Sequence, residues 1–394
     1  MNNNIFIEHK TLTLVLTERC NLSCFYCYEH EKDAAIMPVS LALEKIDAEL
    51  QKYTGGGLYV CFHGGEPLMA FQEMKQICET IWNRPYKRPY TFYAATNGTL
   101  LNSEIKDWTY QNRGRFSLCL SLDGTKKMQD MNRSNSFDKI DIPFFLNTFP
   151  EQPVKMTVSP LSLPYMAEGV ISMQERGFIV SGSLAQGVTW QVQDYAIYAN
   201  QVAELVEYYL EHPNIKPSDI VIRPIDKIEA YSGKTSLHRW CGAGQPMETI
   251  DMYGNSYPCH VFMPSVSDKN HYKKSNEVNA MKSLCNSAKE LVDPKCKGCG
   301  VFMACPTCYG MNFMTNGDLV DKGQDNCTFN MIQIKATAYM MKMMLVEKDR
   351  YPFVSGKTDG EVKNLIRAIN IVDVTLPDMN FMAKVRGEIK GMGL

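Results

Sequence analysis

Two periods of apolar residues alternate along the first half of the chain. Short apolar, β-branched runs at Thr11–Leu16, Leu58–His63, Tyr90–Thr96, Phe116–Ser121, Val154–Ser159 and Phe178–Leu184 have the character of strands. Between them, apolar residues recur with helical spacing at about Ser40–Tyr53, Met69–Trp82, Ser103–Tyr110, Phe137–Phe149 and Tyr165–Arg176, and a longer amphipathic helix is predicted at about Tyr195–Glu211. Such alternation predicts an α/β fold, a parallel sheet with helices outside it. Six units make a partial (β/α)6 barrel of the TIM type, with its chemistry at the C-terminal ends of the strands.

After about residue 213 the helical period fades, and Gly, Pro and Cys punctuate the chain to Cys327. This pattern predicts a second domain organised by metal rather than by a large apolar core. A Met-rich amphipathic helix is predicted at Met331–Glu347, its methionines serving as core. The expected divisions are residues 1–212 for the barrel, 213–330 for the cysteine-rich domain and 331–394 for a C-terminal helix and tail.

Composition narrows the class. The 394 residues are 45 % apolar and 21 % charged, with a net charge of −2, which argues against broad nucleic-acid or membrane-surface binding. No apolar run approaches the length of a membrane span. The start, Met-Asn-Asn-Asn-Ile-Phe-Ile-Glu-His-Lys, lacks the pattern of a secretion signal, so a reducing, cytoplasmic setting is expected. In that setting the 14 cysteines are not expected to form structural disulfides. Cys61, Cys78 and Cys119 lie in apolar contexts and read as core thiols; Cys285 has no assignment; the other ten form two groups with metal-ligand spacing.

Cys20, Cys24 and Cys27, spaced C-x3-C-x2-C, directly follow the first predicted strand. Three thiolates on one loop can hold three corners of a four-iron cube, leaving one iron for a small molecule. A zinc site with His30 as fourth ligand is the alternative. Later strand ends carry polar turns. Gly64-Gly65-Glu66-Pro67 combines close backbone approach with an acceptor for an ammonium group, although a plain tight turn has the same glycines. Thr96-Asn97-Gly98 could hold a hydroxyl or carboxylate. Ser121-Leu122-Asp123-Gly124 is followed by Arg133, a cation for a carboxylate or simply a solvated side chain. Together these groups match the shape of S-adenosylmethionine.

These residues, with Tyr26 before the third cysteine, resemble the radical S-adenosylmethionine (radical SAM) superfamily over about residues 10–190. The resemblance implies that a reduced cluster on Cys20, Cys24 and Cys27 cleaves S-adenosylmethionine to methionine and a 5′-deoxyadenosyl radical, which takes a hydrogen atom from the substrate. It further implies cofactor contacts from Tyr26, Gly64, Gly65, Glu66, Pro67, Thr96, Asn97, Ser121, Asp123 and Arg133, and a reductant such as flavodoxin or ferredoxin.

The later cysteines run Cys241, then Cys259, then Cys296-x2-Cys299-x5-Cys305-x2-Cys308, then Cys327. Two zinc ions are one reading of such pairs. The pattern also resembles the SPASM domain, which implies two auxiliary four-iron clusters and three [4Fe–4S] clusters in all. By that resemblance Cys241, Cys259 and Cys308 bind the first auxiliary cluster, and Cys296, Cys299, Cys305 and Cys327 the second. The family spaces its penultimate pair C-x3-C, whereas here Cys305 and Cys308 are one residue closer. The first auxiliary cluster has no obvious fourth cysteine and can leave an iron open to a substrate thiolate.

Radical enzymes with this domain mostly modify ribosomally made peptides or proteins. In layout the chain resembles an anaerobic sulfatase maturase, which oxidises Cys or Ser to formylglycine and carries a carboxylate, proposed as base, after the domain's second cysteine. Here His260 stands there, a residue that can take a proton or serve structure. The departure favours a cross-linking maturase, forming a thioether or a carbon–carbon ring, over formylglycine formation. About ten residues precede the first predicted strand, so a separate leader-gripping domain is not expected. A zinc-stabilised binding protein without turnover is the rival of another class.

Overall fold

Strand β1 (Lys10–Thr17) is buried from Leu12 onward, as expected of a central parallel strand covered on both faces. In the computed structural model, which describes residues 9–29, 32–52, 56–231, 240–266 and 292–376, β1 pairs in parallel with β2 (Leu58–Gly64). Parallel pairing continues to β3 (Tyr90–Thr96) and β4 (Phe116–Leu120). The strands β5 (Val154–Val158) and β6 (Val180–Leu184) form a parallel pair. They continue the series, because Ser121 bridges to Lys155 and the Leu122 N–H donates to the Lys155 carbonyl at 3.0 Å. All six predicted strands are present in sequential order, with their C-terminal ends on one side.

Helices α1 (Val39–Gln51), α2 (Phe71–Trp82) and α3 (Ser103–Gln111) follow the first three strands. Their apolar faces meet an aromatic layer in which Phe62 stacks on Phe92 at 5.6 Å and Trp108 meets Phe116 edge-on at 5.0 Å. Helices α4 (Lys126–Asn132), α5 (Ile142–Thr148), α6 (Met166–Glu175) and α7 (Val192–Glu211) complete the outer layer. The helix expected over Phe137–Phe149 is split into a 3-10 turn at Phe137–Lys139 and α5. Asp141 accepts from the Phe144 N–H, and Pro143 suits a first turn, so a new helix starts there. The short α4 has too few turns to show in the apolar period.

The later sequence joins the same sheet. β7 (Met247–Ile250) pairs in parallel with β1 on the side away from β2, and β8 (Ser256–Tyr257) turns back against it. Lys10 ties this edge to α1, lying 2.8 Å from both Glu49 and Glu248. Four residues are too few to show a strand period, so β7 was not legible in the sequence. Helices α8 (Tyr309–Asn316), α9 (Gln324–Val346), α10 (Pro352–Ser355) and α11 (Asp359–Thr375) follow. The Met-rich helix, α9, begins seven residues earlier than expected and takes Cys327 into its first turn. Met340, Met341 and Met344 are buried, as core methionines should be. Among the described residues no helix is long and apolar enough to cross a membrane.

α9 also serves the backbone after α7. Gln333 Nε2 donates to the carbonyls of Asp219 (3.0 Å) and Ile220 (2.6 Å), Thr337 Oγ1 donates to the Val221 carbonyl (2.8 Å), and the Arg223 N–H donates to Thr337 Oγ1 (2.9 Å). Replacing Gln333→Leu removes the donor from two carbonyls. It is expected to cost about 2 kcal/mol, read as a lowered thermal midpoint of the anaerobic protein. An unchanged midpoint would show that these bonds do not hold α9 in place.

Candidate active site

The cysteine loop begins where β1 ends, and the end of β2 is pressed onto it. Gly65 N–H donates to the Thr17 carbonyl (3.1 Å) and Glu66 N–H to the Arg19 carbonyl (2.8 Å). Gly64 has φ +133°, and a Cβ there would stand 1.8 Å from the Thr17 carbonyl oxygen; one on Gly65 would stand 2.4 Å from that of Glu18. The glycines permit close backbone approach, as the sequence suggests, and what they approach is the root of the cysteine loop. Pro67 opens the 3-10 turn after them.

Glu66 is buried and directs its carboxylate inward. Oε1 accepts from the Leu68 N–H (3.0 Å) and Thr96 Oγ1 (2.8 Å), and Oε2 from the Asn97 N–H (2.7 Å). Burial raises its pKa, and these donors oppose that rise. Its observed partners are the ends of β2 and β3 rather than a free ammonium position. Asn97 then reaches the cysteine loop, donating from Nδ2 to Asn21 Oδ1 (2.9 Å), while Asn21 Nδ2 donates to Thr99 Oγ1 (2.8 Å).

The end of β4 grips the loop's other side. Asp123 is fully buried. Its Oδ2 accepts from the Tyr26 hydroxyl (2.6 Å) and Asn132 Nδ2 (3.1 Å), and its Oδ1 from the Thr157 N–H (2.9 Å). Arg133 Nε lies 3.0 Å from Oδ2, an ion pair without the alignment of a directed hydrogen bond. Burial opposes the charge on Arg133, but Asp123, Tyr26 and Cys24 together hold its pKa above the ordinary guanidinium value. The cation is thus paired within the protein, not solvated. Two further bonds reach the loop, from the Phe25 N–H to the Asn132 carbonyl (2.8 Å) and from the Ser23 N–H to Ser134 Oγ (3.0 Å). Ser121 bonds from its N–H to the Thr96 carbonyl (2.8 Å), locking β4 to β3.

Held on this loop, Cys20, Cys24 and Cys27 are partly exposed and unbonded to one another. Burial pushes Cys24 up to about 11, against the pull of Arg133, and burial also raises Cys20. Among the described residues, no three His, Cys, Asp or Glu side chains converge on a single metal ion. His30, the fourth ligand of the zinc reading, lies outside the described residues, as does Cys285. Three soft sulfur donors on a loop fixed from two sides fit a four-iron cluster with one vacant corner.

The later cysteines fall into two neighbourhoods. Cys308 and Cys241 lie close enough for their charges to interact, and Cys308 and Cys259 both act on Tyr28. Cys296 and Cys327 each sense Cys299, Cys305, Lys322 and Asp293. At their centre the buried Lys322 Nζ is 2.7 Å from Cys305 Sγ. Nothing in the sequence singled out Lys322. Tyr28 links the first neighbourhood to the cysteine loop, since burial, then Glu29, Cys27, Cys259 and Cys308, raises its pKa. Burial also pushes Glu29 up to about 7, against Lys32, which places a carboxyl able to exchange a proton near neutral pH beside the loop. His260 stacks on His63 at 4.4 Å and lies 5.7 Å from Tyr28. Burial, then the neighbouring His63, pulls His260 down to about 3, so its imidazole is neutral and a poor proton acceptor. Tyr28, Glu29 and His63 escaped the sequence reading, although each sits within or beside a quoted motif.

Residues 14–140 match the radical SAM superfamily. A cysteine-type anaerobic sulfatase-maturating enzyme of Clostridium perfringens is 29 % identical over 136 residues, covering 31 % of this chain and 36 % of that enzyme. The solved structure "Native anSMEcpe with bound AdoMet and Cp18Cys peptide" aligns with TM-score 0.66 at 18 % identity, over 86 % of this chain and 99 % of that one. Streptococcus suis SuiB bound to its precursor peptide SuiA aligns with TM-score 0.51 at 15 % identity, over 82 % and 76 %. The chain spans 34, 66 and 36 % of the lengths of the first curated relatives that it matches. The chain carries a radical SAM domain, a domain of enzymes, over residues 14–140. Such a domain implies a [4Fe–4S] cluster and S-adenosylmethionine.

A Gly65→Ala substitution is expected to cost about 3 kcal/mol or more, because its Cβ meets backbone that cannot swing away. Gly114→Ala, with nothing within 4 Å of the new Cβ, serves as the control. Thermal unfolding checks both; equal midpoints would mean that the seam tolerates a side chain.

Proposed function

We propose that the protein is a radical SAM maturase that modifies a ribosomally made peptide. The observation that carries this reading is the convergence of the β2, β3 and β4 ends on the loop bearing Cys20, Cys24 and Cys27. In this reading those thiols hold the cluster, and the polar strand ends around them, Gly64 to Pro67, Thr96, Asn97, Ser121, Asp123 and Arg133, shape the cofactor's site. Bound there, cluster and cofactor supply a hydrogen-abstracting radical through one-electron reductive cleavage. Tyr26 and Arg133 hold the loop against Asp123, and Glu66 fixes Asn97 against Asn21.

The two later cysteine neighbourhoods support auxiliary clusters, one on Cys241, Cys259 and Cys308, the other on Cys296, Cys299, Cys305 and Cys327, in a SPASM-like part of the chain. The peptides held by two structural neighbours support a peptide substrate. Cross-linking is the favoured outcome, because His260, a neutral ring, replaces the carboxylate expected of a formylglycine-forming enzyme. The local match to a sulfatase-maturating enzyme favours formylglycine formation as the second reading.

After anaerobic reconstitution the protein should carry about twelve iron and twelve sulfide per chain. With a flavodoxin or ferredoxin system, or with dithionite, it should form 5′-deoxyadenosine from S-adenosylmethionine, and the Cys20/Cys24/Cys27→Ala variant should form none. Zinc in place of iron, or no 5′-deoxyadenosine from the wild type, would sink the proposal. Mass spectrometry of a modified peptide separates the outcomes at cysteine, where a cross-link removes two hydrogen atoms and keeps the sulfur and formylglycine formation removes the sulfur; at serine, where both remove two hydrogen atoms, reaction with an aldehyde-specific hydrazide marks formylglycine.

A further inference from the structure

The turn between α8 and α9 delivers one cation into the second cysteine neighbourhood. Gly317 ends α8 at φ +72°, the left-handed conformation that glycine favours at a helix end. The segment after it is pinned by its own bonds. Asn312 Nδ2 donates to the Leu319 carbonyl (3.0 Å), Asn316 Nδ2 to the Asp321 carbonyl (2.8 Å), and the Val320 N–H to Asp318 Oδ1 (2.8 Å). The Lys322 N–H donates to Asp293 Oδ2 (2.9 Å), and the Lys295 N–H, next to Cys296, donates to Asp293 Oδ1 (2.8 Å). The backbone of Lys322 is thereby fixed to the segment that carries Cys296.

Lys322 is 6 % exposed, an unusual place for a lysine, whose ammonium normally stays in water. Its Nζ lies 2.7 Å from Cys305 Sγ, and 3.0 and 3.4 Å from the carbonyl oxygens of Pro306 and Cys305. Among the described residues no carboxylate forms an ion pair with it, and Asp293 meets its backbone instead. The carbonyls supply acceptors but no opposite charge. A buried ammonium without counter-charge is costly, so sulfur is the group placed to balance it. Cys296 and Cys327 also lie within range of its charge. Four thiolates around a four-iron cube carry net negative charge, and reduction adds to it.

We propose that Lys322 is the resident counter-charge of the second auxiliary cluster and, through Cys305, raises that cluster's affinity for an electron. A charged N–H aimed at a ligand sulfur stabilises the more negative, reduced form more than the oxidised one. The midpoint potential therefore lies higher than it would without the lysine. In this role Lys322 ligates no iron and touches no substrate. It acts through Cys305 from a turn already ordered by its own bonds, so holding it there costs little further entropy. The inference rests on the reading that Cys296, Cys299, Cys305 and Cys327 hold a four-iron cluster, and adds what sets the potential of that cluster. Capping the carbonyls of Cys305 and Pro306 is the alternative role, and it predicts no effect on potential.

The test is a redox titration of the full chain, reconstituted anaerobically with its clusters. Dithionite supplies one electron per cluster, and electron paramagnetic resonance follows the reduced forms. The wave that Cys327→Ala removes or moves belongs to the second auxiliary cluster. In Lys322→Met, with iron content unchanged, the ratio of reduced to oxidised cluster in that wave should fall at least about tenfold at a given potential, a downward shift of about 59 mV for one electron. Lys322→Arg keeps the charge and should stay within about threefold of the wild type. The other waves are the internal control, and a shift common to all of them would overturn the proposal. So would an unchanged potential in Lys322→Met, or an equal fall in Lys322→Arg. If Lys322→Met loses iron, Lys322→Gln, which keeps a donor for the two carbonyls, takes its place under the same criterion. Loss of iron from both neutral variants would make the lysine a structural support and defeat its role in electron affinity. A titration in which no wave depends on Cys327 defeats the auxiliary-cluster reading and this inference with it. A Cys327-dependent wave indifferent to Lys322 defeats this inference alone.

Discussion

A carboxylate taken out of water must find its donors inside the protein, and Asp123 finds them on three separate segments. Tyr26 comes from the cysteine loop, Asn132 and Arg133 from the end of α4, and the Thr157 N–H from β5. Removing any one donor leaves charge or polarity unmatched at full burial, which is far costlier than losing a surface contact. The group therefore dictates where the loop after β4 stops, how α4 ends and how the cysteine loop lies across both. Asn132 extends the constraint, since its Oδ1 accepts from Ser159 Oγ at 2.6 Å and its Nδ2 approaches Ser162 Oγ at 3.1 Å.

Glu66 does the same on the opposite side. Its carboxylate fixes Thr96 and Asn97, Asn97 fixes Asn21, and the two glycines before it leave no gap between the β2 end and the backbone of Thr17 to Arg19. The loop carrying three thiols is thereby clamped from two directions although it has no secondary structure of its own. Loops usually owe their mobility to unmet backbone groups and sparse contacts. Here the polar bonds of neighbouring strand ends replace both.

The barrel was legible because six strands and most helices carry long, clean apolar periods. What stayed hidden arises between distant segments. Gly64 and Gly65 announced a close approach, but only tertiary structure identifies the partner as Thr17 to Arg19. Arg133 read as a cation for a carboxylate or as a solvated side chain, and Asp123 as part of a polar turn; that the two pair depends on α4, a helix too short to leave a period. β7 offers four residues and no pattern. Lys322 reads as one more charge in a polar stretch, until the fold buries it against Cys305. The later thiols fall into two neighbourhoods only once the chain folds, because Cys241 and Cys259 stand far in sequence from Cys308.

β7 also explains why the two halves of the chain meet at one site. It extends the sheet from β1, the strand whose end becomes the cysteine loop, and the chain turns through β8 directly into Cys259 and His260. His260 is thereby laid on His63 at the end of β2, within reach of Tyr28, which follows Cys27. The neighbourhood of Cys259 and Cys308 is fixed to the first three thiols through one shared strand. The cavity beside Tyr28 accordingly has walls from both halves, Leu184 and Trp190 from the first and Met311 and Phe329 from the second.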